Sequence, residues 1–140
     1  MISQRARYAL RALIALAKRE GERPVSIAEI AADQNIPQKF LEQILLDLRN
    51  RGFVASRRGP QGGYSLLRPA SEITYGDVLR LIDGPIAPLP CLSVTAYRRC
   101  EDCRVEADCE VRRTFARVAA ATRDVLDETT IAASLEPNGL

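Results

Sequence analysis

The stretch from Ser26 to Leu67 constrains this chain more than any other. Ser26-Ile27-Ala28-Glu29 is a capping box: the serine side chain accepts from a backbone N–H one turn on, and the glutamate reaches back to the serine N–H. A short helix follows to about Asp33, and Gln34-Asn35-Ile36-Pro37 is a turn, with Pro37 suited to the first turn of the next helix. That second helix runs to about Arg51, carries Leu41, Ile44, Leu45 and Leu48 on one face, and is ended by Gly52. Phe53–Ser56 reads as a short strand, Arg57–Gly63 as a turn-rich tip, and Tyr64–Leu67 as the returning strand. Two short helices around a tight turn, then a hairpin, is the order of a winged helix-turn-helix, a mainly α fold with a two-stranded wing.

The flanking segments fit one small domain. Residues 3–19 read as a helix, with Ser3 at its start, Gly21 at its end, and Leu10, Leu13, Ile14 and Ala17 at one-face spacing. Thr74-Tyr75-Gly76-Asp77 starts another helix that ends at Gly84. Residues 85–107 are irregular, with Pro85, Pro88 and Pro90 ahead of Cys91. A long helix returns over 108–127 with a stripe of Val111, Phe115, Val118, Thr122 and Val125. This stripe is too narrow and too long to be buried within so small a chain, and a symmetry mate would cover it as a homodimer. The tail from Pro137 is expected to be disordered. The organisation predicted is therefore a DNA-binding domain over 1–68, a connecting helix over 69–84, a cysteine-containing sensor loop over 85–107, and a dimerisation helix and tail over 108–140.

Charge separates the two halves. Residues 1–68 hold twelve basic and six acidic side chains, a balance of +6; residues 69–140 hold eight and twelve, a balance of −4. A basic front half suits a polyanion, although an imbalance of this size also arises by chance. An α-helix fits the major groove, and the helix starting at Gln38 is the candidate reader. Its outward positions include Gln38, Lys39, Glu42, Gln43 and Arg49. Glutamine pairs with adenine, lysine and arginine with guanine or phosphate, and glutamate with the cytosine amino group. At the hairpin tip, Arg57 and Arg58 stand beside Gly59, Gly62 and Gly63. Such arginines suit a narrow, electronegative minor groove. The partner expected is double-stranded DNA.

Other classes are weakly supported. The chain contains no histidine, which removes the usual general base and the Ser-His and Cys-His pairs. Gly59-Pro60-Gln61-Gly62-Gly63 lacks the Lys-Ser/Thr of a phosphate loop. An enzyme is not expected; a protein-interaction module is the remaining non-regulator class. No apolar run approaches the roughly 20 residues of a membrane span. With no signal-like segment at Met1-Ile2-Ser3-Gln4-Arg5, the cytoplasm is the expected compartment and no membrane partner is implied.

Three stretches resemble the Rrf2 family of bacterial regulators, which includes iron–sulfur cluster regulators and nitric-oxide sensors. They are Arg7-Tyr8-Ala9-Leu10, Phe40-Leu41-Glu42-Gln43-Ile44-Leu45, and Arg58-Gly59-Pro60-Gln61-Gly62-Gly63-Tyr64. The resemblance continues through Thr74-Tyr75-Gly76-Asp77-Val78 and Asp83 to Thr129-Thr130-Ile131, essentially the whole chain. It implies a transcription regulator, most often a repressor, that forms a homodimer crossed by long C-terminal helices on an inverted-repeat operator.

All four cysteines lie in one segment: Cys91, Cys100, Cys103 and Cys109. Clustered thiols in a reducing compartment point to a metal or redox site. The resemblance implies an iron–sulfur cluster: Cys103 and Cys109 keep the five-residue gap of cluster-binding members, Cys91 stands near the first ligand position, and Cys100 is extra. The fourth ligand departs from the family. One group uses a histidine where Arg112 stands, and another an aspartate where Arg7 stands. Cys100 could supply it, since four thiolates suit such clusters. Structural zinc on the same four thiolates, a Cys100–Cys103 thiol–disulfide switch, and a vestigial site with free thiols are the alternatives. Arg98, Arg99 and Arg104 are expected to favour thiolate in any of these.

Overall fold

A computed structural model describes residues 2–137. Helices α1 (Gln4–Ala17), α2 (Ile27–Gln34) and α3 (Gln38–Asn50) are followed by the antiparallel hairpin of β1 (Val54–Arg57) and β2 (Gly63–Leu66). Helix α4 (Tyr75–Asp83) and the long α5 (Glu110–Glu128) complete the regular elements, with short 3₁₀ turns at Ala70–Glu72, Pro90–Leu92, Glu106–Asp108 and Ala132–Leu135. This is the mainly helical winged helix-turn-helix predicted. Of the tail expected from Pro137 onward, Asn138, Gly139 and Leu140 lie outside the described residues.

Helix α1 is the centre of the molecule. Ser3 caps it, its hydroxyl accepting from the Ala6 N–H at 3.0 Å. Eight of its fourteen residues are buried and five of those are alanines, so neighbours reach its backbone from several sides. It packs against α2, α3, β2, α4 and the Ala132–Leu135 turn. The sequence pattern underrated it: Ile14 is only half-buried, whereas Ala6, Ala9 and Ala12 are fully enclosed. Small side chains carry little weight in an apolar stripe, yet they are what close helix packing requires. Leu13, Ile30, Leu41, Ile44, Leu45, Leu48, Val54, Ile73, Val78 and Ile131 fill the core around it.

Both caps of the helix pair follow the chain's chemistry. The Ser26 hydroxyl accepts from the Glu29 N–H at 3.1 Å, and the Ser26 N–H donates to the Glu29 carboxylate at 2.9 Å. Asn35 ends α2 in the left-handed region at φ 52°, a conformation asparagine tolerates. Pro37 sits just before α3 rather than inside its first turn: its carbonyl is the first acceptor, taking the Phe40 and Leu41 N–H groups at 3.1 and 3.2 Å. The strands are each displaced by one residue from the sequence reading, so Arg57 belongs to β1 and Leu67 lies beyond β2. Phe53 is held outside the strand because its N–H donates back to the Leu48 carbonyl at 2.9 Å.

A second capping box, Thr74 with Asp77, starts α4. Helix α5 lies on α4, with Arg80 donating twice to Asp127 at 2.8 and 2.9 Å. Gly76 permits that approach, since a Cβ there would fall 2.0 Å from an Asp127 carboxylate oxygen. After α5 the chain turns back into the core: Ile131 donates to the Ile73 carbonyl at 2.8 Å and its side chain is fully buried. Helix α5 begins at Glu110, two residues later than predicted, because Cys109 is its N-cap. Ala119 is its one buried residue, while Val111, Phe115, Val118 and Val125 of the predicted stripe are exposed and Thr122 is half-buried.

The α2 cap gives the fold a defined acid sensitivity. The Glu29 carboxyl is held down to about 2, chiefly by a hydrogen bond from Arg23 at 3.0 Å and next by the Ser26 N–H. An unfolded glutamate titrates near ~4.3, so the ionised form stabilises the fold above that value and the contribution is lost as pH falls toward about 2. In urea melts taken across this window, stability should fall less steeply for Glu29→Gln than for the wild type. At neutral pH, Ser26→Ala should cost about 1 kcal/mol. Equal pH slopes for Glu29→Gln and the wild type would show that the carboxylate contributes nothing there.

Candidate nucleic-acid interface and cysteine cavity

The exposed side of α3 carries Gln38, Lys39, Glu42, Gln43 and Arg49, opposite the buried Leu41, Ile44, Leu45 and Leu48. Lys39 and Gln43 face most directly away from the core, given 100° of rotation per residue, with Glu42, Arg49 and Gln38 on the flank toward the hairpin. Arg49 links the two parts, donating to the Ser56 hydroxyl of β1 at 3.3 Å. Gln43 donates to Asp47 at 3.3 Å, and Asp47 also pairs with Arg5 of α1. Two acids near this surface are therefore neutralised, Asp47 by Arg5 and Glu29 by Arg23. Glu42 has no ion pair among the described residues, leaving its carboxylate available to a ligand.

The hairpin is braced from behind. Val25, just ahead of the α2 cap, exchanges hydrogen bonds with Tyr64 of β2 at 2.8 and 2.7 Å. Gly63 makes this possible: at φ 148° it lies in the region that disfavours side chains, and a Cβ would fall 2.4 Å from the Val25 carbonyl oxygen. Gly62 donates to the Gly59 carbonyl at 2.9 Å, which closes the tip. Arg57, Arg58 and Gly59 are exposed there, and Gly62 and Gly63 are half-buried. The glycines thus shape and seat the wing, and the arginines are what it presents.

One residue of this surface escaped the sequence reading. Phe40, in the first turn of α3, is 62% exposed and stands beside Tyr8, Gln4 and Arg5 of α1. Its place in the Phe40–Leu45 motif was visible, but an apolar residue next to Leu41 reads as core. Only its position on the exposed flank reveals a group able to contact a thymine methyl.

The four cysteines line one cavity of about 570 Å³, together with Asp102, Glu106, Asp108, Arg104 and Arg112. Cys91 is buried in the Pro90–Leu92 turn, Cys103 and Cys109 are half-buried, and Cys100 is exposed. Helix α5 holds this loop: Arg112 donates to the Cys91 carbonyl at 3.4 Å and Arg123 to the Leu92 carbonyl at 2.9 Å. The Cys109 sulfur caps α5, accepting from the Arg112 N–H at 3.4 Å. All four sulfurs are free, and among the described residues no three candidate ligands converge closely enough to hold an ion as they stand.

The donor set suits a thiophilic metal centre, because four sulfurs around one cavity match the ligands of iron–sulfur clusters and zinc. The Nε–H of Arg112 supports this fit, being buried there without an acceptor. The expected effect of the arginines is not found at Cys100. Desolvation, and next Cys91, Asp102, Cys103 and Cys109, push that thiol above the ordinary cysteine range. Arg99 is occupied elsewhere, its guanidinium donating to the Cys103 and Arg104 carbonyls.

Residues 2–137 match the profile of a family described as Rrf2, iron-dependent transcriptional regulator. An rrf2-like helix-turn-helix regulator of Rhodobacter capsulatus is 48% identical over 134 residues, covering 94% of this chain and 89% of the relative. The structure of CymR, the global cysteine regulator of Bacillus subtilis, superposes with a TM-score of 0.80 at 38% identity over 98% of both chains. That of T. potens IscR gives 0.74 at 31% identity, over 96% of this chain and 85% of the other.

The seat of the wing is open to a direct test. Gly63→Ala should displace β2 from Val25, and the loss should exceed about 1 kcal/mol because a positive φ and a backbone overlap act together. Chemical denaturation would measure it, and backbone hydrogen exchange should show faster exchange at Val25 and Tyr64. An unchanged exchange pattern would mean that the bridge does not depend on this glycine.

Proposed function

The chain belongs to the Rrf2 family of transcription regulators, which are DNA-binding proteins rather than enzymes, and we propose that it is an operator-binding repressor tuned by an iron–sulfur cluster. Residues 1–68 would read the DNA, 69–84 connect, 85–107 form the sensor loop, and 108–140 carry the dimerisation helix and tail. In this reading α3 enters the major groove with Gln38, Lys39, Glu42, Gln43 and Arg49. Arg57 and Arg58, on a wing formed with Gly59, Gly62 and Gly63, reach the neighbouring minor groove. The exposed stripe Val111, Phe115, Val118 and Val125 supports a homodimer across α5, whose two readers would meet an inverted repeat. Such a regulator acts in the cytoplasm.

Wing and reader make different demands on DNA. An arginine at a groove gives a good direct contact, so Arg58→Ala should weaken operator binding by roughly 1–3 kcal/mol in fluorescence anisotropy, with the fold unchanged. An acid facing phosphates is tolerated best where it accepts from cytosine or rejects a wrong base. Glu42→Ala should therefore broaden the sequences recovered in a selection more than it weakens non-specific binding. The reading fails for Arg58 if operator affinity does not move, and for Glu42 if both proteins recover the same operator.

The observation that carries the sensor reading is that Cys91, Cys100, Cys103 and Cys109 all line one cavity, in which a bound centre would draw their sulfurs together. A cluster bound there would add four iron–sulfur bonds to a proline-rich loop, and so favour whichever arrangement of the dimer those bonds fit. Anaerobically purified protein should be coloured and contain iron and sulfide. Cys91→Ser, Cys103→Ser and Cys109→Ser should each abolish the chromophore and change operator affinity by at least about tenfold, roughly 1.4 kcal/mol. Cys100→Ser should weaken the centre, with oxygen able to substitute. Colourless protein carrying stoichiometric zinc would replace the cluster with a structural metal. Metal-free protein whose affinity follows a Cys100–Cys103 disulfide would replace it with a thiol switch.

A further inference from the structure

We infer that Arg112 is the charge partner of a thiolate-held metal centre in the cysteine cavity, a positioning residue rather than a ligand. This rests on the reading that the cavity holds such a centre. Arg112 touches the two cysteines that bound the segment. Its backbone N–H donates to the Cys109 sulfur at 3.4 Å, and its guanidinium donates to the Cys91 carbonyl at 3.4 Å. The same side chain forms part of the cavity wall.

Its Nε–H is buried and has no acceptor, the one such side-chain group among the described residues. A buried donor on a charged group is costly to leave unpaired, so this position favours an anionic acceptor held in the cavity. No carboxylate forms an ion pair with Arg112 among the described residues, although Glu106 and Asp108 line the same cavity. The guanidinium is therefore a half-buried cation that has a backbone acceptor but no ion pair among the described residues.

A metal centre on four thiolates supplies what is lacking. A divalent ion held by four thiolates is a dianion, and an all-cysteine iron–sulfur centre is anionic as well. The three carboxylates of the lining, Asp102, Glu106 and Asp108, would oppose that charge, and Arg104 and Arg112 are the cations in the wall that offset them; of the two, Arg112 carries the unpaired buried donor. Hydrogen bonds to the sulfurs are among the determinants that tune such centres. Arg112 thereby joins Cys91, through its side chain, to Cys109 and the start of α5, through its backbone N–H.

Cobalt(II) binding to the reduced, metal-free full chain provides the test, read by thiolate-to-cobalt charge-transfer absorption. Wild type, Arg112→Gln, Arg112→Lys and Arg123→Gln are titrated under argon, with circular dichroism as the check on folding. Arg123 anchors the adjacent Leu92 carbonyl but does not line the cavity, so its variant isolates the effect of anchoring. Arg112→Gln should bind at least about tenfold more weakly, with unchanged absorption per bound cobalt. Arg112→Lys, which keeps the charge, should recover most of the loss, and Arg123→Gln should remain near the wild type. Wild-type affinity in Arg112→Gln overturns the inference and leaves the metal-centre reading standing. A lysine variant as weak as the glutamine one, or an equal loss in Arg123→Gln, overturns the charge role in favour of simple anchoring. If Arg112→Gln does not fold, the comparison of Arg112→Lys with Arg123→Gln decides, an equal loss in both overturning the charge role. No charge-transfer absorption in the wild type overturns the metal-centre reading, and this inference with it.

Discussion

The close packing of α1 is the constraint on which the rest of the structure depends. Its alanines let α3 and α4 pack against it, so the helix proposed to read DNA and the helix that supports α5 share one partner. Leu13 of the same helix is fully buried. Enlarging any of these alanines would force apart elements that belong to different functions, because a packed interior accommodates added methylenes poorly. The same packing draws in the chain beyond α5: Ile131, close to the C-terminal end, is part of the core that begins at Ala6.

A second constraint joins the wing to the helix pair α2 and α3. The bridge between Val25 and Tyr64 lies immediately before the Ser26 cap, so the segment that starts α2 also braces β2. From the other side, Arg49 reaches Ser56. The exposed faces of α3 and the hairpin are thereby fixed relative to one another before any ligand is present. Preorganisation of this kind reduces the ordering that binding would otherwise require.

What could be read from the sequence follows from how local each cause is. The Ser26–Glu29 box, Gly52 and the apolar face of α3 act within one or two turns, and their positions were legible to within a residue or two. The burial of Ala6, Ala9 and Ala12 was not, since it depends on partners far along the chain. Gly76 stood in the motif that opens α4, but its reason is Asp127, some fifty residues later. At the candidate site, the exposed residues of α3 followed from helical periodicity, whereas Phe40 was missed because type and position disagreed. The cysteine cluster was visible as spacing. That Arg112 meets both Cys91 and Cys109 was not, because this needs the loop folded back on α5.

Coupling between the cavity and the face of α3 and the hairpin needs an element that runs from the cavity to the core behind that face, and α5 has that geometry. Its first turn is capped by the Cys109 sulfur, and Arg112 and Arg123 hold the turn that carries Cys91. Near its other end, Asp127 is gripped twice by Arg80 of α4, and α4 packs against α1. A change in the order of the loop therefore acts on the start of a helix whose end is fixed to the core. In a dimer formed across the exposed stripe, a small rotation of α5 at that pivot would alter the distance between the two reading helices. Half-sites on duplex DNA have a fixed spacing of about one helical turn, so such a change alters how well both helices can be seated at once. A ligand in the cavity needs no contact with the reading surface to exert this effect; it needs only to bind one setting of α5 better than another.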